Sequence, residues 1–138
     1  MKITFLRLWL FIMAAGLLTA SCKKKEECPS KSTFELLTMD DWHMYKETVE
    51  SSSGTSEMEM DYRWVFTINK HYYYYHGNNT IYSERGIYEL DEENDPVQLH
   101  FTKQSGTQLT YDVTEISENK MVWEYHSGQF TYTFYFER

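Results

Sequence analysis

The sequence has little cysteine and a shortage of positive charge. With only two Cys, the chain cannot build a multi-disulfide scaffold. Thirteen Lys and Arg face 21 Asp and Glu, so the formal net charge is −8. This balance argues against nucleic acid as a partner, because phosphate binding needs a basic face. The length of 138 residues is that of one domain.

The sequence also lacks an apolar run long enough to cross a membrane. The uncharged segment Leu8–Leu18 has 11 residues, which a helix extends to only about 17 Å. The hydrocarbon core of a bilayer is about 30 Å thick. Lys2 and Arg7 lie before or at the start of this segment. Together these features predict a signal peptide rather than a stable membrane span.

Small residues follow the apolar segment and lead to a cysteine. Leu18-Thr19-Ala20-Ser21-Cys22 resembles the lipobox of bacterial lipoproteins. That resemblance implies a signal peptide over residues 1–21, cleavage before Cys22, and lipidation of Cys22 with palmitate-type acyl chains. Two or more acyl chains give a stable membrane anchor. The alternative is an ordinary secreted protein in which Cys22 is incidental.

Residues 22–33 have the composition of a solvated tether. Lys23-Lys24-Lys25 followed by Glu26-Glu27 is similar to an export signal of some Gram-negative surface lipoproteins. We therefore expect a lipid-anchored protein of the Gram-negative cell envelope, most simply in the outer membrane, with surface exposure left open. Cys28 is expected to be a free thiol, with an intermolecular disulfide as the alternative.

From residue 34 onward the apolar residues recur with a period of two, which indicates β-strands buried on one face. Short polar connectors separate the strands, and short connectors join antiparallel neighbours. Closure removes the exposed edges of such a sheet. The sequence therefore predicts an all-β domain over residues 34–138, an eight-stranded antiparallel up-and-down barrel, with a nearly closed meander as the alternative. The predicted strands are Trp42–Glu50, Met60–Ile68, Tyr72–His76, Ile81–Leu90, Val97–Thr102, Leu109–Thr114, Met121–His126 and Phe130–Glu137.

A short helical turn is predicted over Phe34–Asp41, with Ser32 or Thr33 as its N-cap, where it would plug one barrel end. The segment Leu36-Leu37-Thr38-Met39-Asp40-Asp41-Trp42 resembles the start of lipocalin-like domains. There a leucine-led turn enters the first strand at a Trp. The order of the later strands is also similar to small bacterial lipocalin-like lipoproteins. The resemblance implies a β-barrel domain over residues 34–138.

An eight-stranded barrel is wide enough either to be filled by side chains or to hold one small ligand. The number of large rings favours a filled interior. A ligand that did enter would be apolar or aromatic, with tyrosine hydroxyls orienting it. The candidate ligand-binding residues all belong to the inward face of the predicted strands. They are Tyr62, Trp64, Tyr88, Phe101, Tyr111, Trp123 and Phe134.

The run Tyr72–Tyr75 is the other binding candidate. Two of its rings would point into the barrel and two outward. The outward pair could dock a protein or a glycan, or it could simply stabilise the sheet. A filled core with this outer wall as an interaction surface is the alternative function.

Signals for catalysis are weak. The five His show no metal-ligand spacing, and the sequence contains no G-x-S-x-G motif. The acidic segment Asp91–Asp95 is predicted to be a solvated hairpin, with a calcium site as the alternative. We expect a monomer without cofactor, metal or enzymatic activity, which acts by binding.

Overall fold

The computed structural model describes residues 30–138. The predictions made for Cys22, Cys28 and the signal peptide lie outside the described residues and stay predictions.

The first element is a short helix, α1 (Thr33–Thr38), which begins one residue before the predicted start and ends three residues before the predicted end. Ser32 caps it, because the Glu35 amide donates to Ser32 Oγ at 3.2 Å and the Ser32 amide donates to Glu35 Oε2 at 2.8 Å. This reciprocal pair satisfies two amides that the helix leaves free. Over residues 30–138, no helix has the length and apolarity needed to cross a membrane.

Eight strands follow α1 and form one closed barrel in which every neighbour is antiparallel. Each strand pairs with the next along the chain, and β8 pairs with β1 to close the wall. The predicted fold class is therefore confirmed. The strands are β1 (Trp42–Ser51), β2 (Gly54–Phe66), β3 (His71–His76), β4 (Glu84–Asp91), β5 (Val97–Lys103), β6 (Gln108–Ile116), β7 (Lys120–Ser127) and β8 (Phe130–Glu137).

Most strands keep their predicted position, but several boundaries differ from the prediction, most of all in β2 and β4. The expected turn Ser51–Ser56 shrinks to two residues, because β2 continues its backbone pairing with β1 as far as Gly54. Backbone hydrogen bonds need no apolar side chains, so a polar segment can extend a ladder that the apolar pattern does not mark. Ile68 lies in a turn with 73% of its surface exposed, and Ile81 precedes β4 with 79% exposed.

The two ends of the barrel differ. Helix α1 lies at the end where β1 starts, and the Trp42 indole N–H donates to the Leu37 carbonyl at 3.1 Å. Leu37 is buried among the core side chains of this capped end, as expected for a plug. The β5–β6 and β7–β8 hairpins turn at the opposite, open end. Gly106 and Gly128 have positive φ there, as tight hairpins require.

The core fills the capped half of the barrel. Apart from Leu37 of α1, its largest fully buried side chains lie at inward positions of their strands, as the period of two predicts. They are Trp42, Trp123, Tyr72, Tyr88, Phe136, Leu37, Leu99 and Met121.

Strand β1 carries a bulge. Against β8, Tyr45 is an extra residue of the strand, because Met44 pairs with Phe136 and Lys46 pairs with the adjacent Tyr135. Against β2 the register shifts in the opposite sense, so that Tyr45 alone lies opposite two residues of β2. Because an inserted residue exchanges the two faces of a strand, Met44 and Glu47 both face the interior. A strict alternation from Trp42 and Met44 would have placed Lys46 there instead.

Candidate ligand cavity

The open half of the barrel contains a cavity of about 340 Å³. Met58 and Phe130 lie at its mouth on the inward face of their strands, and both are more than a third exposed. The filled interior predicted from the many rings is therefore found at the capped half only. The cavity is lined by Met44, Glu47, Met60, Tyr62, Trp64, Tyr72, Tyr74, Glu84, Phe101, Lys103, Leu109, Tyr111, Trp123 and Phe134.

Six of the seven predicted ligand-binding residues line this cavity, and one does not. The six are Tyr62, Trp64, Phe101, Tyr111, Trp123 and Phe134. Tyr88 is instead a core residue: its ring packs edge-on against Phe66 at 5.3 Å, and its hydroxyl donates to the Thr67 carbonyl at 2.8 Å. Both partners lie toward the capped end, so the Tyr88 side chain leans away from the cavity. Burial raises the pKa of Tyr88 to about 12.

Aromatic contacts hold the cavity wall in place. The Trp64 ring meets Trp123 edge-on with centroids 5.3 Å apart, and it stacks on Tyr72 at 5.8 Å. Tyr72 in turn meets Phe101 edge-on at 4.7 Å. Such pairs add about 0.5–1.5 kcal/mol each beyond the area they bury. The rings at the bottom of the cavity are therefore mutually braced.

A polar cluster that the sequence reasoning missed shares the cavity. Lys103 Nζ lies 2.8 Å from Glu84 Oε2, and the Tyr72 hydroxyl donates to Glu84 Oε1 at 2.9 Å. Alternation along the strands does place both residues on the inward face. Glu84 lies two residues before Gly86 in β4, and Lys103 lies two residues after Phe101 in β5. Charged residues at strand ends are normally solvated, so this signal was not recognised as part of a site.

Glu47 is the second carboxyl of the cavity, and it has no partner of its own. Among residues 30–138, no hydrogen bond or ion pair involves its carboxyl oxygens, and burial is the one influence on its pKa. Its cross-strand neighbours are Met58 and Phe134, both apolar. Burial raises the pKa of Glu47 above its ordinary value of 4.5.

Three tyrosine hydroxyls of the cavity, those of Tyr72, Tyr74 and Tyr111, have a pKa above the ordinary value of 10.0. Burial, then the charges of Tyr125, Glu84 and Glu47, raise the pKa of Tyr111 to about 12. Burial also raises the pKa of Tyr72 and of Tyr74, with Glu84 contributing to both. Neutral phenols both donate and accept hydrogen bonds, so the cavity offers polar anchors that do not titrate near neutrality.

The four-tyrosine run divides as predicted, with two rings on each face. Tyr72 and Tyr74 line the cavity, while Tyr73 and Tyr75 lie on the outer wall. The Arg63 guanidinium lies 4.2 Å from the centre of the Tyr75 ring. Tyr73 is tilted against Tyr82 at 5.8 Å. The inward pair was not named among the predicted ligand-binding residues, although the alternation contained that signal.

The histidines and the acidic hairpin do not assemble into a cluster. Within the described part of the chain, no three His, Cys, Asp or Glu side chains are grouped so that they could hold a metal ion. His100 pairs with the Thr110 hydroxyl across β5 and β6 at 2.9 Å. In the hairpin, Asp91 accepts from the Asn94 side chain at 2.7 Å and from the Glu93 amide at 3.1 Å.

Comparison with known proteins identifies a family for this chain. Neither the curated proteins nor the solved structures yield a significant similarity to the chain. The family model described as a lipocalin-like domain matches residues 39–123. The matched segment is more than half of the 138 residues and runs from the residues before β1 into β7. The chain therefore belongs to the family of lipocalin-like domains.

Proposed function

We propose that this protein binds a small apolar or aromatic molecule inside its barrel. The observation that carries the proposal is the cavity of about 340 Å³, which is walled by aromatic side chains and open at one end. Ligand pockets in proteins begin at about 300 Å³ and combine apolar walls with a few polar groups. The tyrosine hydroxyls and the Glu84–Lys103 pair supply such groups. Membership in the lipocalin-like family supports the proposal.

Two measurements test ligand binding. Native mass spectrometry of the protein purified from its own cells is expected to show a bound small molecule. Titration with the neutral dye N-phenylnaphthylamine is expected to increase the dye fluorescence and to quench the fluorescence of Trp64 and Trp123, which line the cavity.

A matched pair of variants places the binding in the cavity. Leu109 lines the cavity, whereas its neighbour Thr110 is exposed on the outer wall. We expect Leu109→Trp to weaken dye binding by about tenfold or more and Thr110→Trp to leave it unchanged. Thermal melting of both variants controls for overpacking. Equal affinities of the two variants for the dye would contradict binding in the cavity. The proposal would also be contradicted if native mass spectrometry showed only the ligand-free mass and the protein bound no dye.

The same proposal places the barrel at a membrane of the Gram-negative cell envelope through lipidated Cys22. The support is the lipobox-like segment that ends at Cys22, which follows a signal-peptide pattern. Residues 33–138 carry seven positive and 19 negative side chains, a net charge of −12, so an anionic membrane would repel the barrel. The lysine-rich tether would hold it near the surface without embedding it.

Cys22→Ala tests the anchor, and Cys28→Ala is its matched control on the same tether. After cell fractionation, we expect the Cys22→Ala protein in the soluble fraction and the Cys28→Ala protein in the membrane fraction. Retention of the Cys22→Ala protein in membranes would rule out lipidation at this residue.

The outer wall supports a second candidate function, an interaction surface for a protein or a glycan. Tyr73, Arg85 and Ile87 line one surface depression, and the exposed Ile81 and Tyr82 lie beside it. Adjacent exposed apolar groups are typical of interaction surfaces. Replacing Ile81 and Ile87 together by Lys should abolish binding to envelope components while dye binding in the cavity persists. Unchanged envelope binding in that double variant would argue against this role.

A further inference from the structure

We propose that the cavity selects a small organic cation, an amine whose aromatic or aliphatic body fits among the rings. This inference rests on the proposed function, because it specifies the charge of the molecule that the cavity binds. The observation behind it is the unpartnered carboxyl of Glu47 in an aromatic-lined space.

The position of Glu47 is fixed by the strand and not by a flexible loop. The bulge at Tyr45 directs Glu47 into the cavity, between Met58 of β2 and Phe134 of β8. Glu47 is half-buried between these apolar neighbours, and partial removal of a carboxylate from water is unfavourable unless a donor or a cation meets it. Among the described residues nothing does so, and a ligand with an ammonium group would supply the missing partner.

The other charged groups of the cavity do not supply a partner for the Glu47 carboxyl. Within the described part of the chain, Lys103 is the one cation that lines the cavity, and Glu84 already binds it at 2.8 Å. The Tyr72 hydroxyl holds Glu84 in turn. The two carboxyls and one ammonium therefore leave one negative charge in the cavity. An anionic ligand would have to displace Glu84 from Lys103 and would still be repelled by Glu47.

The aromatic wall adds a second attraction for a cation. Tyr74 lies between two rings, with centroids 4.9 Å from Tyr62 and 5.0 Å from Trp64. Aromatic faces attract ammonium groups, and the attraction grows when water is excluded. The excess negative charge of the barrel also raises the local concentration of cations at its mouth.

Three probes with one body and different head groups test the charge preference. Phenylbutylamine, phenylbutanol and phenylbutanoate differ only in carrying an ammonium, a hydroxyl or a carboxylate at neutral pH. Isothermal titration calorimetry of the purified protein should give an affinity about tenfold higher for the amine than for the alcohol, as a charge-assisted hydrogen bond allows. The carboxylate should bind weakest.

Two variants assign the preference to Glu47. In Glu47→Gln, the amine preference should fall from about tenfold to about threefold or less, because only the ring faces and the net charge of the barrel still favour the cation. The affinity for the alcohol should match that of the unmodified protein. Glu50→Gln is the matched control, because it removes the same charge from the same strand at an exposed position. The amine preference should survive in Glu50→Gln. Thermal melts and circular dichroism establish that both variants are folded.

The outcomes separate this inference from the proposed function. If none of the probes or the neutral dye binds, the proposed function itself fails. If the alcohol binds as well as the amine, the cavity binds ligands but its charge selectivity is overturned. If the full tenfold amine preference persists in Glu47→Gln, the assignment of that preference to Glu47 is overturned. If phenylbutanoate binds best, Lys103 is the recognition group and the assignment to Glu47 is wrong.

Discussion

The ring of Tyr72 packs directly on the bare backbone of Gly86. A Cβ atom at residue 86 would lie 2.7 Å from Cε1 of Tyr72 and 2.2 Å from the carbonyl oxygen of Thr102. Tyr72 is fully buried, and its hydroxyl is bound to Glu84. The ring therefore cannot move aside without releasing the polar cluster of the cavity, and Gly86 acts as the seat for that ring.

Gly86→Ala should consequently destabilise the barrel. Overpacking of a closely packed site costs about 1–3 kcal/mol, and the contact with the Thr102 carbonyl places this substitution at or beyond the upper end. Urea denaturation provides the measurement. Ile87→Ala is the control, since Ile87 faces outward with 46% of its surface exposed, and its effect should stay near 0.5 kcal/mol. An unchanged midpoint for Gly86→Ala would show that Tyr72 is seated elsewhere.

Trp123→Ala should remove one of the two fully buried tryptophans of the core. Trp123 is 1% exposed and meets Phe136 with ring centroids 4.3 Å apart. Truncation of a buried Trp costs about 3–5 kcal/mol. Chemical denaturation should show this loss, whereas Ile68→Ala, in an exposed turn, should change the free energy of unfolding by less than about 0.5 kcal/mol. A loss near zero for Trp123→Ala would mean that strand β7 has a different register.

Glu47→Gln should make the ligand-free protein more stable at neutral pH. Burial raises the folded-state pKa of Glu47 above its ordinary value of 4.5, so ionisation at higher pH opposes folding. The neutral amide removes that opposition. The gain should be present at pH values above the raised pKa and should vanish on acidification below the ordinary value, where both proteins carry a neutral group. Thermal melts across this range measure it, and a gain independent of pH would exclude the ionisation mechanism.

The barrel should lose stability at alkaline pH because of its buried phenols. An unfolded tyrosine loses its proton near 10.0, whereas Tyr88 and Tyr111 hold theirs to about 12 in the folded barrel. The folded state thus binds more protons, and its stability falls as the pH rises through this interval. A pH titration followed by tyrosinate absorbance should show a group of tyrosines that lose their protons at a higher pH than the others. Tyr111→Phe should remove one tyrosine from this group and should make the free energy of unfolding fall less steeply with pH. If all tyrosines titrated together, the burial of these phenols would be contradicted.

The strand number, the closure and most of the cavity wall could be predicted from the period of two. That period places Tyr62, Trp64 and Phe101 on the inward face of the sheet, and in the structure all three line the cavity. Tyr88 shares the face but not the site, because the alternation fixes the side of the sheet and not the direction in which a long side chain leans along the strand. The size of the cavity depends on these inclinations too.

Glu47 could not be placed by any strict alternation, because the bulge at Tyr45 exchanges the two faces of β1 partway along the strand. Neither Tyr45 nor its neighbours include a glycine that would mark such an irregularity in the sequence. One irregular residue in β1, Tyr45, is therefore the reason that the sequence pattern does not predict Glu47 as a cavity residue. The family match gives no help here, because it identifies the domain and not the contents of its cavity.

The seam between β1 and β8 gives the cavity a thermodynamic consequence. Glu47 and Phe134 are cross-strand neighbours at that seam. The cavity therefore forms only after β1 and β8, the first and last strands of the chain, have paired. Closing so long a loop is entropically costly and tends to come late in folding. A molecule that occupies the cavity binds the paired state alone, and by mass action it lowers the population of opened barrels. Loading with ligand would therefore also protect the protein against aggregation and proteolysis.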